Sequence, residues 1–303
     1  MRIVHRHRHL CRYQAHDPCP VKTKGKVPPF ARPLGVDIII TAEGKAVLIE
    51  LQHGFGRLGL IKLFPGANRR YRQRFRSLLR EHGTCFEIRA RIKEICSDKI
   101  ETYKHFSEFQ PSSLPYKGWT GKVERWLSAL SSELVLAKPP RGSCGKGIEV
   151  LRRAELLRDP ESRRLGPVLL QEFVRSRPIL DEQGLAHFGC IRHIVLISGD
   201  GESLELLHLP SYWRVAPVAQ EADADHSARA ALTANISQGA FPLGVEDYEE
   251  QLVRSLTEEV CRSLIEEVLE LENIPLRPSL VIPADGSLPV EASASRTTPL
   301  RPR

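Results

Sequence analysis

The chain has 303 residues, 41% hydrophobic and 27% charged, with 44 Lys and Arg against 37 Asp and Glu and a formal net charge of +7. That length and balance support a substantial globular core and exclude a chain disordered throughout. No run approaches the roughly 18–20 consecutive apolar residues that span a bilayer, and the N-terminus lacks the apolar stretch of a secretory signal, so a cytoplasmic protein with no membrane partner is expected.

Residues 1 to about 30 carry HRHRH, HDPCP and VKTKGKVPP, which show neither helical nor alternating apolar periodicity and read as a basic arm. His5, His7, His9, Cys11, His16 and Cys19 fit the spacing of no standard zinc site. The seven cysteines are odd in number and scattered without a CxxC pair, which argues against a disulfide framework.

VDIII, the turn AEGK and AVLIEL then predict two strands in a hairpin, with Asp37 and Glu50 thirteen residues apart and Gln52 two beyond Glu50. HGFGRLG follows, where Gly54, Gly56, Gly59 and Arg57 suit either a substrate or phosphate loop or a loop packed for structural reasons. A basic helix is expected near 67–80. Basic residues concentrate in 1–35 and from Arg69 to Arg80, and an anionic ligand such as ATP accounts for part of that; a nucleic-acid partner is not expected.

A short helix within 97–119 leads to the SSLPYKG turn, a helix near 120–132 and a strand from Leu134 to Ala137 that ends at Lys138. Strands are expected at 167–174 and 191–198, and a linking segment rich in Ala and acids at about 217–232. Leu252, Leu256, Val260, Leu264 and Val268 recur every four residues beside abundant Glu, which predicts a long amphipathic helix. SLVI and LPVEAS, either side of ADGS, close the chain as a strand pair.

The strongest chemical signal is AKPPRGSCGKGI. A strand delivers Lys138, and Gly142, Ser143, Gly145 and Gly147 follow within nine residues. Glycines let backbone N–H groups approach phosphate oxygens, and a lysine at a strand end neutralises them. The segment is neither a Walker A loop nor a Rossmann fingerprint.

From here the chain resembles the ATP-grasp superfamily, in that family's order, over about residues 97–293. SDKIETY is similar to the segment bearing the first ATP-contacting lysine, which implies Lys99. Lys138 resembles the second lysine, and GSCGKG the flap over the phosphates. QEFV resembles the adenine hinge, with Gln171, Glu172 and Val174 at the base, and Asp181 would hold the ribose. Arg192 in CIRHIV and Arg214 in YWRVA resemble the phosphate-side or substrate-side arginines, and NISQGA places Asn235 near the phosphates.

The resemblance implies an α+β ATP-grasp fold built from α/β lobes: an N-terminal lobe at 31–96, a flap lobe at about 120–172, a C-terminal lobe at about 173–293, and a tail at 294–303. It implies an ATP- and Mg²⁺-dependent ligase that activates a small-molecule or peptide carboxylate as an acyl phosphate for attack by an amine or thiol, with Arg192 and Arg214 catalytic. The family's final metal site, an acid on one strand and ExN on the next, is depleted here. Glu291 fits, with Asn235 as its companion, but Ser279 and Ser293 stand where an acid and an asparagine are expected.

Asp37, Glu50 and Gln52 resemble the same pattern at the front of the chain, as a displaced or permuted metal site, a substrate-facing strand pair or a plain hairpin. Two alternatives follow. The depleted site suits an ATP-binding regulatory module without catalysis, and the front hairpin resembles a restriction-endonuclease-like nuclease core in which Gln52 replaces the lysine.

Overall fold

The computed structural model describes residues 26–54, 56–83, 85–142, 145–160, 165–181, 183–219, 239–288 and 290–291. Most of the expected N-terminal arm, the tail from 294, most of the 217–232 segment, and Ser143 and Asn235 lie outside the described residues.

β1 (Phe30–Ile40) and β2 (Ala46–Gln52) form the expected hairpin, with Asp37 opposite Glu50. The free edge of β1 then pairs antiparallel with β8 (Ala186–Gly199), from Phe30 opposite Gly199 to Ile38 opposite Ile191. Residues 31–96, expected as a lobe of their own, therefore share one sheet with the C-terminal part. Pairing between strands about 155 residues apart leaves no local pattern to read.

The large sheet runs β11 (Phe241–Gly244), β10 (Tyr212–Ala219), β8, β9 (Leu204–His208), β12 (Leu280–Val281), β13 (Val290–Glu291), with β1, β2 and β7 (Ile179–Leu180) along the other edge of β8. β12 and β13 are the expected closing pair.

Alternation along β8 gives the sheet two buried faces. Ile191, Val195 and Ile197 pack against α3 (Phe86–Ser97), α4 (Lys99–Phe106) and α7 (Asp247–Leu269). Ile194 and Leu196 pack against α1 (Leu58–Leu63) and α2 (Pro65–His82). In α7 the predicted stripe is realised: Val260, Leu264 and Val268 are buried, and Leu252 and Leu256 pack at its margin. HGFGRLG is not wholly a loop, because α1 starts at Leu58. A Cβ on Gly59 would lie 2.2 Å from the Tyr212 ring, so that glycine lets α1 settle on the sheet.

The second sheet, β3 (Ser113–Tyr116), β6 (Val168–Glu172), β4 (Leu134–Lys138), β5 (Glu149–Arg152), is antiparallel throughout in that order. Backed by α5 (Gly121–Ala129) and α6 (Arg153–Arg158), it has its own core, including Val123, Leu127, Val135 and Leu170. This small lobe corresponds to the expected flap lobe but begins earlier, because SSLPYKG holds a strand. Among the described residues no helix is long and apolar enough to cross a membrane.

One buried carboxylate locks α7 to the large sheet. Glu249 accepts from Arg177 Nε at 2.6 Å, Trp213 Nε1 at 3.0 Å and the Glu246 amide at 3.0 Å, and closes a capping box. Glu249→Gln keeps the shape but removes the charge and one acceptor. It is expected to lower stability by about 2 kcal/mol, read as a lower urea midpoint at unchanged slope.

Candidate functional site

A cleft separates the two sheets. Along β4, Val135 and Ala137 enter the small lobe's core, while Leu136 and Lys138 line the cleft. β6 contributes Gln171 and Glu172, continuing into Phe173 and Val174. The opposite wall is the large sheet: Asp37 and Ile39 from β1, Glu50 and Gln52 from β2, Cys190 from β8 and Arg214 from β10. Lys99, at the start of α4, closes one end, where Asp98 caps the helix by accepting from the amides of Ile100 and Glu101.

The polar groups form a connected set. Arg192 grips both oxygens of Asp37, with Nη2 3.0 Å from Oδ2, and Arg214 Nη2 approaches the same Oδ2 at 2.8 Å. Gln52 Nε2 bridges Asp37 Oδ2 at 3.2 Å and Glu50 Oε2 at 3.0 Å, and Lys99 Nζ lies 3.3 Å from Glu50 Oε1. Lys138 Nζ donates to Gln171 Oε1, whose amide donates to Ser113 Oγ at 3.0 Å.

Burial sets the electrostatics. Desolvation pushes the Asp37 carboxyl up, but Arg192 and Arg214 more than offset it, and its pKa falls below 3.8. Burial, the largest effect on Lys138, lowers its pKa from 10.5 to about 8 despite Glu50, with Lys99 adding repulsion. Cys190 is raised by burial and accepts a hydrogen bond from Arg214 Nη2 at 2.7 Å.

The loop after β4 is tied to this set. Lys99 Nζ donates to the Gly142 carbonyl at 2.9 Å, and Gly145 and Gly147 have φ of +71° and +73°, where a side chain is strained. Gly145 lines the cleft, while Gly147 turns against Pro139. The Glu172 carboxylate is spent on the small lobe, accepting from the Ser131 and Ser132 amides at 3.0 Å each. The Val174 amide makes no hydrogen bond among the described residues.

Of the residues singled out in the sequence, Lys99, Lys138, Gly145, Gln171, Glu172, Val174, Arg214, Asp37 and Glu50 meet in this cleft. Arg192 lies buried behind Asp37. Asp181 is not brought in: it accepts from the Gln183 and Leu185 amides and pairs with His187. Glu291 lies on β13, at the margin of the sheet beyond β9 and β12, away from the strands that wall the cleft. Cys190 and the edge-on pair Phe173 and Phe188 were missed. Alternation could have found Cys190, two residues before Arg192 on one strand.

No model of a known protein family matches the chain, and no curated protein matches it. The cleft's own chemistry carries the functional reading.

Among the described residues, no group of three or more His, Cys, Asp or Glu is placed to hold a metal ion. Asp37 and Glu50 nonetheless bring carboxylate oxygens to the cleft wall, where the Gln52 amide nitrogen bridges them. Magnesium is commonly bound by one or two carboxylates, with water and substrate phosphate completing its shell.

Proposed function

We propose that the chain is an ATP-grasp ligase, which binds ATP with Mg²⁺ between its two sheets and activates a carboxylate as an acyl phosphate for attack by an amine or thiol. One observation carries this reading: a single cleft gathers Lys99, Lys138, the Gly145 loop and the Glu172–Val174 segment on one side, and Asp37, Glu50 and Arg214 on the other.

Each group has a role that its chemistry supports. The Val174 amide, which has no hydrogen-bond partner among the described residues, and the Glu172 carbonyl two residues before it suit an adenine edge, and Phe173 with Phe188 an apolar wall. Lys99 and Lys138 neutralise phosphates, and the glycine loop supplies backbone N–H groups above them. Arg214 faces the transferring phosphoryl group or the acyl oxygen, with Arg192 behind it orienting Asp37. The substrate carboxylate attacks the γ-phosphorus as the bond to ADP breaks, and the amine or thiol then displaces phosphate.

For the metal, Glu50 with Asp37 beside it fits better than Glu291, which lies away from the strands that wall the cleft. Bound there, magnesium would supply charge neutralisation at the phosphates. The metal carboxylates are then displaced to the front hairpin, while the closing pair β12–β13 stays at the end of the chain.

Thermal unfolding with and without Mg-ATP tests the reading, because a ligand that binds only the folded state raises the midpoint. A rise supports it; an unchanged midpoint at millimolar Mg-ATP overturns it. Arg214→Lys, which keeps the charge beside Asp37 but loses the planar fork, is expected to retain that rise. Its ADP release with pooled carboxylates and amines should fall about 10²–10³-fold. Unchanged turnover would remove Arg214 from the chemistry.

A further inference from the structure

A second site lies outside the cleft, where the end of β2 meets α2. Arg57, Arg72 and Arg76 line a groove with His53, Gly54 and Phe75, and among the described residues no carboxylate lines it. Arg69, Arg72, Arg76 and Arg80 are all exposed, and their spacing keeps them on one stripe of α2, about 16 Å long at 1.5 Å per residue. The other arginines of this helix serve the fold. Arg74 pairs with Glu81 at 3.6 Å and Glu205 at 3.4 Å, and Arg70 donates to the Gly286 carbonyl at 3.4 Å. Among the described residues, Arg57, Arg69, Arg72 and Arg76 pair with no carboxylate.

The positive surface continues round the sheet edge. Arg32 donates to the His53 carbonyl at 3.1 Å, and its Nε is buried without a partner among the described residues. The His53 imidazole, disfavoured as a cation first by burial, is further depressed by Arg32, Lys93 and Arg89. Arg57, Arg69, Arg72 and Arg76, gathered without carboxylate partners among the described residues, repel one another.

We propose that the collar binds the phosphodiester backbone of a single-stranded nucleic acid. The stripe is too long for one phosphate group, and guanidinium forks match phosphate oxygens. A single strand has the freedom to follow the groove from α2 to His53 and Gly54, with its bases free to meet Phe75. Backbone phosphates are charged at fixed intervals. An acidic peptide would have to order a long side chain for each contact, at up to about 2 kcal/mol apiece. Gln52 lines the cleft and the next residue, His53, lines the groove, so the bound strand runs beside the cleft mouth. The proposal does not depend on what the cleft binds.

Fluorescence anisotropy of the full chain with labelled RNA and DNA strands of about 16 nucleotides, between about 50 and 200 mM salt, tests it. Affinity should fall steeply with salt. Arg72→Ala with Arg76→Ala should weaken binding at least about tenfold at the low-salt end and reduce the log–log salt slope by about 1.4, some 0.7 for each lost phosphate contact. Both side chains are exposed and removing them relieves repulsion, so the unfolding midpoint of the double variant should be no lower than that of wild type. Arg125→Ala, on α5 of the small lobe, should bind as wild type does. Absence of binding at low salt, equal binding by the double variant, or displacement by poly-glutamate as effective as by unlabelled RNA of equal charge would each overturn the proposal.

Discussion

Asp37→Ala is expected to lower stability by about 3–5 kcal/mol, the cost of leaving buried charges without their partner. Asp37 is 3% exposed, and it is the carboxylate between Arg192, also 3% exposed, and Arg214, at 9%. Its removal strands two guanidinium groups in a region that water scarcely reaches. The urea midpoint reads the loss. Adding Arg192→Met to Asp37→Ala removes one stranded charge and should recover part of it, which a cycle over the four proteins measures. Because the folded pKa lies below 3.8, this contribution is complete above about pH 4 and is lost as the pH falls through the folded value. A cost under about 1 kcal/mol would mean that water enters the site and that the three groups do not act as a buried unit.

Lys138→Met should separate stability from binding in opposite directions. Burial depresses Lys138 from 10.5 to about 8, so below pH 8 both folded and unfolded chains hold the proton, and the fold bears the whole cost of enclosing the charge. Between about 8 and 10.5 the unfolded chain still binds the proton and the folded chain does not, so wild-type stability climbs with pH across that window. The methionine variant should gain about 1–4 kcal/mol at pH 7 and lose that climb, read by urea unfolding at neutral and alkaline pH. It should also lose the Mg-ATP rise in midpoint, because the phosphates lose a cation. In wild type, nucleotide binding above pH 8 should take up a proton, which calorimetry in buffers of different ionisation enthalpy detects. A variant no more stable than wild type, yet still stabilised by Mg-ATP, would make Lys138 a structural residue.

Local chemistry was legible and long-range pairing was not. The apolar run ending at Lys138, the glycines after it and the four-residue repeat of α7 are signals within one element, and each appears where the sequence places it. The hairpin of Asp37 and Glu50 was also legible, but not its destination. Nothing near residue 37 announces that Arg192 stands opposite, because strand pairing at that separation is written in the complementarity of two distant apolar strands. The same blindness hid the groove: the arginine run looked like a solvated helix face, and only the fold shows which of its charges lack partners.

The pairing of β1 with β8 also orders events during synthesis. A chain emerging from the ribosome makes β1 long before the strand that completes its sheet, and Leu34 and Val36 stay exposed meanwhile. The small lobe lies wholly between these two strands, and Ser113 at its entry pairs with Gln171 near its exit. Once formed, it draws those two points together and shortens the loop that β1 and β8 must close. The lobe that roofs the cleft is thereby also a clasp on the chain: formed ahead of the large sheet, it would lower the entropy cost of bringing β8 to the waiting hairpin.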